Sequence, residues 1–407
     1  LPQIREYQPG LATDRDIARV HFCVPDVAAQ ITEAHLVSAG SALRIADAYM
    51  EGEIKNGFAI IRPPGHHSKT VSHGNRGFCN INNEAIMVEY LRQKYGIKRV
   101  AIVDTDVHHG DGTQEIYYND PDVLFISFHQ DGRTLYPGSG HMDELGGPLA
   151  YGTTINLPLA PRTTDTGILY ALEHLIMPIL EEFKPELIVN SAGQDNHYSD
   201  PLADMRFSAQ GYARLNEMLA PDIAVLEGGY SVQTALPYVN MGLIMAMAGI
   251  DYSNLREPDY DPERMRENPA NLEYIEKMVK RQLQVFRQRE EQIAYNRKTR
   301  DRFHHIHKQI FYDTDYIHED QSVQLRLCPE CAGFRLIEST AQHRNGYYYR
   351  VYCVSIPANA CASCQAEARS GYTDMSGNDR YDLVYLQDRV NDDYRSIDIK
   401  KDVEMVL

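Results

Sequence analysis

The chain has 407 residues, of which 43% are hydrophobic and 24% are charged, and this composition is typical of a folded protein with a large apolar core. Its formal net charge of −17 argues against a protein that binds nucleic acid over its whole surface. The longest apolar run, residues 241–250, is too short to cross a membrane.

Helices and short apolar strands are predicted to alternate through the first 250 residues. Capping residues and the spacing of apolar side chains predict helices over residues 12–21, 34–50, 84–94 and 166–183. Apolar runs predict strands over residues 58–61, 100–103, 123–128 and 155–159, and at the start of the segments 186–195 and 223–230. Such alternation is typical of an α/β fold whose parallel sheet is covered on both faces, and ligands bind these sheets beyond the carboxyl ends of the strands.

The stretch from Ala101 to Thr113 joins a buried strand to a cluster of acids and histidines. Asp104, Asp106 and His108 occupy alternate positions, so in an extended chain their side chains point to the same side. Two carboxylates and an imidazole this close together repel or stay poorly paired unless a cation lies between them. The pattern therefore predicts a metal site rather than a strand end that happens to be polar.

Polar residues also follow the other predicted strands. His66 and His67 come from a loop that two prolines stiffen, and Asp195 and Tyr230 each follow an apolar run. Paired histidines in a loop are often only solvent-exposed side chains. Here, however, side chains from four separate stretches fall at strand ends, and this convergence predicts one active site at that edge of the sheet.

Residues 271–310 are predicted to form one long helix, because apolar residues such as Ile275, Val279 and Phe286 recur at helical spacing. The segment carries ten Lys or Arg against five Asp or Glu in an otherwise acidic protein. The simpler interpretation is a helix that packs on the body with its basic side in water. The alternative is the interface of a homodimer or a docking surface for an acidic partner.

Two Cys-x-x-Cys pairs are separated by 29 residues near the C-terminus. Their members are Cys328, Cys331, Cys361 and Cys364. Two strand-like runs, residues 334–337 and 347–356, lie between the pairs. Two thiolate pairs satisfy the tetrahedral coordination of a structural zinc ion and predict a zinc ribbon. Cys353 and His343 are the substitute ligands if one of the four is not used.

The cysteines also bear on cellular location. No signal peptide is recognisable, and the chain starts at Leu1 rather than Met, so we expect residues to be missing from the N-terminus. A cysteine cluster in a chain without an export signal favours metal binding over disulfides. These features predict a reducing, cytoplasmic setting.

Five motifs, taken in order along the chain, resemble those of the zinc-dependent histone deacetylases and acetylpolyamine amidohydrolases. They are Arg62-Pro-Pro-Gly-His-His67, Gly77-Phe-Cys79 with Asn82-Asn83, Asp104-x-Asp-x-His-His-Gly-Asp-Gly-Thr113, Ser191-Ala-Gly-x-Asp195 and Leu226-Glu-Gly-Gly-Tyr230. The resemblance covers roughly residues 12–250. It implies an arginase/deacetylase-like α/β fold, with a doubly wound parallel sheet of about eight strands. A helical segment and a small β zinc-ribbon domain would follow, giving domains 1–255, 256–320 and 321–407.

The resemblance also implies roles for the clustered residues. Asp106, His108 and Asp195 would bind a catalytic zinc ion and leave room for water and substrate. The histidine pair would move protons, with His67 as general base and then general acid. The residues of this proton-transfer group are His66 with its orienting partner Asp104, and His67 with its orienting partner Asp111.

The remaining implied residues contact the substrate or a second ion. Tyr230 would donate a hydrogen bond to the amide oxygen, and a tyrosine at this position suggests an active enzyme. Phe78 and Tyr136 would flank the tunnel for the acyl-lysine, and the carbonyl of Gly77 would accept the substrate N–H. In the family a potassium ion lies near the strand of Asp104. Its ligands here would come from Asp104, Asp106, His108, Ser127 and Phe128.

These features predict hydrolysis of the amide of acetyl-lysine in a protein, or of a related acetylated amine such as an acetylpolyamine. Neither nucleic acid nor a membrane is expected as a partner. A dimanganese ureohydrolase shares the fold, but it needs more carboxylates than the chain supplies here. A non-catalytic regulatory module is a third alternative, although it has no physical need for the intact His66, His67 and Tyr230.

The chain departs from the family pattern at two places near the entrance. The segment between His21 and Thr32 is shorter than the usual loop, which carries an acid that grips the substrate backbone, and Asp26 is the only acid left. The strand that normally opens the fold is also not found. Candidate acids of an amine-selective entrance lie in the loops around Tyr136: Asp131, Asp143 and Glu144.

Overall fold

Strands and helices alternate through the first 250 residues of the computed structural model, which describes residues 2–407. The strands are β1 (Phe22–Cys23), β2 (Gly57–Ala59), β3 (Val71–Ser72), β4 (Val100–Asp104), β5 (Val123–Gln130), β6 (Thr154–Leu159), β7 (Leu187–Ala192) and β8 (Ile223–Leu226). The helices are α1 (Asp14–Ala18), α2 (Val27–Gln30), α3 (Glu33–Met50), α4 (Asn83–Tyr95), α5 (Asp111–Tyr117), α6 (Asp165–Ala171), α7 (Met177–Phe183), α8 (Ala209–Leu219) and α9 (Ala235–Met247). A π-helical turn, Leu172–Ile176, joins α6 to α7.

Six strands form the central sheet, in the order β2-β8-β7-β4-β5-β6, and every neighbouring pair is parallel. The α/β class is therefore confirmed, with six strands in the described residues where the resemblance implied about eight. Alternate residues of β4 enter two different cores, because helices cover both faces: Ala101 and Val103 pack on one side, Val100 and Ile102 on the other. The carboxyl ends of β4, β7 and β8 consequently meet at one edge.

The long helix predicted for residues 271–310 is partly wrong. The segment contains α10 (Pro269–Arg287), α11 (Arg289–Thr299) and then a strand, β9 (Phe303–Tyr312). Residues 303–310 are extended because they pair with the next strand over a ten-residue register, a long-range contact that overrides local spacing. The apolar side of α10 is buried against the body, with Ile275 and Phe286 inside the same core as α6.

A second sheet of seven strands fills the C-terminal part, and we call it, together with its helix, the appended sheet. Besides β9 it contains β10 (Ile317–Arg326), β11 (Arg335–Gln342), β12 (Tyr348–Ile356), β13 (Leu383–Asp388), β14 (Asp393–Asp398), β15 (Val403–Val406) and the helix α12 (Ala362–Met375). Neighbouring strands are antiparallel except β12 and β13, which α12 connects. The predicted small ribbon is thus part of a larger unit that begins inside the segment assigned to the helical arm. The domain limits at 255 and 320 stay a prediction.

The appended sheet packs against the loops next to the histidine pair. The Tyr385 hydroxyl donates a hydrogen bond of 2.7 Å to the carbonyl of Cys23, and the Tyr312 hydroxyl donates one of 3.0 Å to the carbonyl of Val71. Phe22, beside Cys23, shares an apolar core with residues of β11, β12 and β13. This packing brings the turn between β9 and β10, residues 313–316, to the strand ends of the central sheet.

Among residues 2–407, no helix has the length and apolar character that a bilayer crossing requires.

Candidate active site

Asp106, His108 and Asp195 come together beyond the ends of β4 and β7, and all three are buried. The Nδ1 atom of His108 lies 3.1 Å from a carboxylate oxygen of Asp106 and 3.1 Å from one of Asp195. One ligand atom from each residue lies within 4.8 Å of the others, a spacing that a single metal ion can bridge. A nitrogen and two carboxylate oxygens are donors that zinc accepts, so the residues fit a catalytic zinc ion.

Backbone groups hold these carboxylates in place. The amide of Gly228 donates a hydrogen bond of 2.6 Å to Oδ2 of Asp106, and the amide of Val107 donates one of 2.9 Å to Oδ1 of Asp195. A Cβ atom at Gly193 would overlap the carboxylate of Asp106, and a Cβ atom at Gly228 would overlap the carboxylates of both Asp195 and Asp106. Glycine is therefore required at both positions for the loops to approach the ligands this closely.

The electrostatics of the cluster also suit a cation. Burial raises the pKa of Asp195 to about 6, because the neighbouring carboxylate of Asp106 adds repulsion to the loss of solvent. Although burial opposes it, hydrogen bonds to the same two carboxylates raise the pKa of His108 to about 10. The protein alone thus leaves two buried negative charges to share one imidazole, and a divalent ion would neutralise them.

Each histidine of the predicted pair has a carboxylate on its Nδ1 atom. His66 Nδ1 lies 3.1 Å from Asp104, and His67 Nδ1 lies 2.9 Å from Asp111. The two rings are 4.1 Å apart between centroids. Nδ1 of each ring therefore faces its carboxylate, which leaves Nε2 as the nitrogen that can exchange a proton with a ligand.

The two histidines differ in charge. Burial opposes protonation of His66, but the carboxylates of Asp106 and Asp104 raise its pKa well above the ordinary value. Burial, together with the neighbouring charge of His66, lowers the pKa of His67 to about 3. A neutral His67 is in the protonation state that a general base requires.

Three charged residues that support this pair were missed by the sequence analysis. The carboxylate of Asp111 also pairs with Lys69 and Arg76, at 2.7 Å each. Glu227 accepts hydrogen bonds from the amides of Gly65 and His66. Glu227 lies inside one of the five family-like motifs and Arg76 directly precedes another, and this position was the available sign of a role in the site. The sequence did not indicate which strand end their side chains would reach.

Tyr230 faces the metal-ligand cluster from the loop after β8. Its ring centroid lies 6.4 Å from that of His108 and 5.7 Å from that of Phe78. The amide of Tyr230 donates a hydrogen bond of 2.7 Å to Asp200, which fixes the loop. Its hydroxyl makes no hydrogen bond within residues 2–407, so it is available to a ligand.

Gly77 and Phe78 form a turn next to the histidine pair. Both have positive φ angles, +53° and +67°, and a Cβ atom on Gly77 would overlap the ring of His67. The Phe78 side chain is 53% exposed, as expected of a residue at an entrance. Tyr136 lies opposite, with its ring centroid 5.1 Å from that of His67, and its buried hydroxyl has no hydrogen-bond partner in the described chain.

Two of the predicted potassium ligands, Ser127 and Phe128, lie on β5, one strand further along the sheet. Asp104 at the end of β4 is in register with Ser127 on β5, and Phe128 follows directly. The Ser127 hydroxyl lies 2.9 Å from Nδ1 of His129. The potassium site stays a prediction.

The acids predicted for the entrance are already engaged elsewhere. Asp131 pairs with Arg133, Asp143 pairs with Arg281, and Glu144 accepts hydrogen bonds from Gln114 and from backbone amides. Asp26 caps α2 through the amide of Ala29. The carboxylates named in the sequence analysis therefore satisfy local partners.

The four cysteines of the predicted zinc ribbon gather at the far end of the appended sheet, with ligand atoms within 4.8 Å of one another. Cys328 and Cys331 lie in the loop between β10 and β11, whereas Cys361 and Cys364 begin α12 instead of a second hairpin turn. Backbone amides donate to the sulfur atoms of Cys328 and Cys331, at 3.4 and 3.3 Å. Four sulfur donors fit a structural zinc ion. The substitute ligands lie elsewhere, Cys353 in an apolar core and His343 beside His73.

The part of the chain that carries this site is similar to known proteins. A profile of the histone deacetylase domain family matches residues 12–242. Over 238 residues the chain is 50% identical to a probable deacetylase of Archaeoglobus fulgidus, which covers 56% of this chain and 65% of that protein. Over 214 residues it is 38% identical to the polyamine deacetylase HDAC10 of Mus musculus, covering 50% of this chain and 32% of the relative. These matches span less than two thirds of either relative.

A solved structure is similar as well. The crystal structure of the HDA15 HD domain aligns with a TM-score of 0.61 and 28% sequence identity, over 72% of this chain and 85% of that domain. The family match contains every residue of the candidate active site and ends before α10, so the appended sheet lies outside it.

Proposed function

Because the chain belongs to the histone deacetylase family, we propose that it is a zinc-dependent amidohydrolase that removes the acyl group from acetyl-lysine or from a related acetylated amine. The observation that carries this proposal is the convergence of three groups in one place. They are a three-residue metal site, two histidines bonded to carboxylates, and a tyrosine hydroxyl without a partner.

Asp106, His108 and Asp195 would hold the zinc ion. When bound, zinc supplies Lewis-acid chemistry, which polarises a carbonyl and makes water a stronger nucleophile. The protein's own residues supply the rest. The neutral imidazole of His67 takes a proton at Nε2 from the attacking water and later delivers it to the amine nitrogen. The Tyr230 hydroxyl donates a hydrogen bond to the amide oxygen as negative charge develops on it.

His66 and Asp104 keep a proton beside the reacting centre. The carboxylates of Asp106 and Asp104 favour the charged form of His66, which therefore contributes positive charge as the amide oxygen becomes negative. Asp111, held ionised by Arg76 and Lys69, stabilises His67 once it is protonated. Phe78 and Tyr136 would enclose the acyl chain between aromatic rings, and the Gly77 carbonyl would accept the substrate N–H.

The Tyr230→Phe variant tests the proposal. Loss of one oxyanion donor should lower kcat on an acetyl-lysine reporter by about 100- to 1,000-fold, whereas the fold and the metal content are unchanged. Turnover, zinc content and thermal melting are measured on the same preparation, with Tyr238→Phe as the control for a tyrosine outside the site. Undiminished turnover in Tyr230→Phe would remove this hydroxyl from the mechanism, and a wild type that hydrolyses no acetylated amine would reject the function.

Other assignments from the sequence stay predictions. The three carboxylate and imidazole ligands favour one catalytic metal over a ureohydrolase-like pair, and metal analysis decides the count. The unpaired cysteines of the described chain suit the predicted cytoplasmic setting. A homodimer through residues 271–310 would have to use polar surface, since the apolar side of α10 is occupied within the chain.

A further inference from the structure

The turn between β9 and β10 reaches the entrance of the candidate active site, although it belongs to the appended sheet. Its Asp313 accepts a hydrogen bond of 2.9 Å from the amide of Gly77 through Oδ1. Next to it, Asp315 accepts one of 2.6 Å from the amide of Asn75. Two carboxylates of the turn therefore hold the segment that leads into Phe78.

A third contact ties the end of β9, next to this turn, to the histidine pair. The Arg76 guanidinium donates a hydrogen bond of 2.6 Å to the carbonyl of Phe311 at the end of β9. Through its other nitrogen atoms it pairs with Asp111, the partner of His67. The appended sheet consequently touches both the wall of the entrance and the group that orients the base.

Asp313 has hydrogen-bonding capacity left at this entrance. Its Oδ1 atom accepts from Gly77, whereas Oδ2 has no hydrogen bond and no ion pair within residues 2–407. The carboxylate is only partly buried and lies close enough to Tyr136 for its charge to act on the phenol. By contrast, the acids around Tyr136 and the acid of the short loop at residue 26 are engaged by other groups.

We propose that Asp313 is a specificity-determining residue of the deacylase: Oδ1 fixes the Gly77–Phe78 turn, and Oδ2 accepts a hydrogen bond from an N–H or ammonium group of the substrate. This inference rests on the proposed function. The chemistry required of the substrate is a hydrogen-bond donor on nitrogen beyond the acylated amine. Two sources carry it, the backbone N–H of an acetyl-lysine peptide and the ammonium groups of an acetylpolyamine.

Asp313→Asn and Asp313→Ala separate the two functions of the carboxylate. Asparagine can still accept from the Gly77 amide but has lost the charge, whereas alanine has lost both. Asp320→Asn is the matched control, because Asp320 lies on the exposed face of β10 in the same hairpin. Hydrogen exchange of the 76–80 amides should increase in Asp313→Ala and stay unchanged in Asp313→Asn and in the control.

The kinetic test uses three substrates: an acetyl-lysine peptide, an N-acetylpolyamine and N-butylacetamide, which has no second nitrogen. For Asp313→Asn we expect KM to rise about tenfold on the substrate that carries the recognised donor, with kcat retained and N-butylacetamide unaffected. A larger rise in KM for the polyamine identifies an ammonium group as the donor that Asp313 recognises. A larger rise in KM for the peptide identifies a backbone N–H as that donor. Equal KM values for wild type and Asp313→Asn on all three substrates would overturn the inference.

A binding measurement keeps this inference separate from the proposed function. If the wild type hydrolyses none of the substrates, calorimetric titration of the same compounds into the wild type and Asp313→Asn decides the matter. Weaker binding of a nitrogen-donor compound to Asp313→Asn supports recognition by this carboxylate. Equal binding, or no binding by either protein, rejects it.

Discussion

His21 shows how one buried side chain connects the N-terminal segment to the loops of the active site. Its Nε2 atom accepts a hydrogen bond of 2.9 Å from the amide of Asn82, so its proton is on Nδ1, which donates one of 2.8 Å to the carbonyl of Lys69. The neutral ring satisfies both groups. Burial lowers the pKa of His21 to about 4, because there is no solvent to stabilise the charged form.

This histidine should make the protein less stable in acid. In the unfolded chain its pKa is about 6.5, so between pH 6.5 and 4 the unfolded state binds a proton that the native state does not. The free energy of unfolding should therefore fall as pH drops below 6.5, by up to about 1.4 kcal/mol per pH unit from this residue.

The His21→Gln variant measures that contribution. We expect it to be less stable than the wild type at pH 7.5, with a difference that shrinks as the pH approaches 4. Urea unfolding at several pH values gives the two curves, and His305→Gln, a change on β9 away from the loops of the site, serves as the reference. Parallel curves for wild type and His21→Gln would contradict the linkage.

At the scale of elements, the four-cysteine cluster joins a loop to a helix. The loop between β10 and β11 and the start of α12 belong to one apolar cluster, in which Phe334 of the loop and Ala368 of the helix accompany the cysteines. A metal bound by both pairs closes the chain between residues 331 and 361 and so limits the conformations of the unfolded state.

Loss of one ligand should therefore release a metal ion and destabilise the appended sheet. We expect Cys361→Ser to bind about one zinc ion fewer than the wild type and to melt several degrees lower, since four thiolates make a far stronger site than three. Cys353→Ala, which removes a buried thiol outside the cluster, should keep its zinc. Elemental analysis and melting curves test this, and an unchanged zinc content in Cys361→Ser would show that the cluster is not a zinc site.

At the scale of the whole molecule, buried charges connect the appended sheet to the central domain. Arg335 of β11 lies 3.3 Å from Glu115 of α5 and donates to the Thr70 hydroxyl at 3.3 Å. Lys308 of β9 also lies 3.3 Å from Glu115. Although burial acts to raise the pKa of Glu115, these two cations hold it well below the ordinary value. Removal of either cation leaves an excess of negative charge in a site with little water.

Arg335→Met should therefore destabilise the protein by about 3–5 kcal/mol, because Lys308 is then the one ion-pair partner left to the buried Glu115 within residues 2–407. The double variant Glu115→Gln/Arg335→Met should recover part of that loss, since the uncompensated charge is gone. Chemical denaturation of the single and double variants gives the coupling energy. Additive effects in this cycle would mean that the appended sheet is joined to the first 250 residues mainly by apolar contacts, such as Phe22 with Tyr385.

The sequence determined the features that depend on local order. The alternation of Asp104, Asp106 and His108 predicted a metal site directly after β4, and the apolar run before Asp195 predicted that this residue follows a strand. The alternation of predicted helices and strands indicated the α/β class, and the order of the five motifs along the chain indicated the family. Two Cys-x-x-Cys pairs were sufficient to predict four thiolates within reach of one metal.

Only the tertiary structure decided which distant segments meet. Asp313 contacts Gly77 across 236 residues of chain, and no local spacing encodes such a contact. β9 was predicted as the end of a long helix because the helical spacing of Ile275, Val279 and Phe286 was extended to residue 310, and pairing with β10 settles the choice. Local periodicity constrains which face of an element is apolar, whereas the partner that covers this face is set by packing of the whole chain.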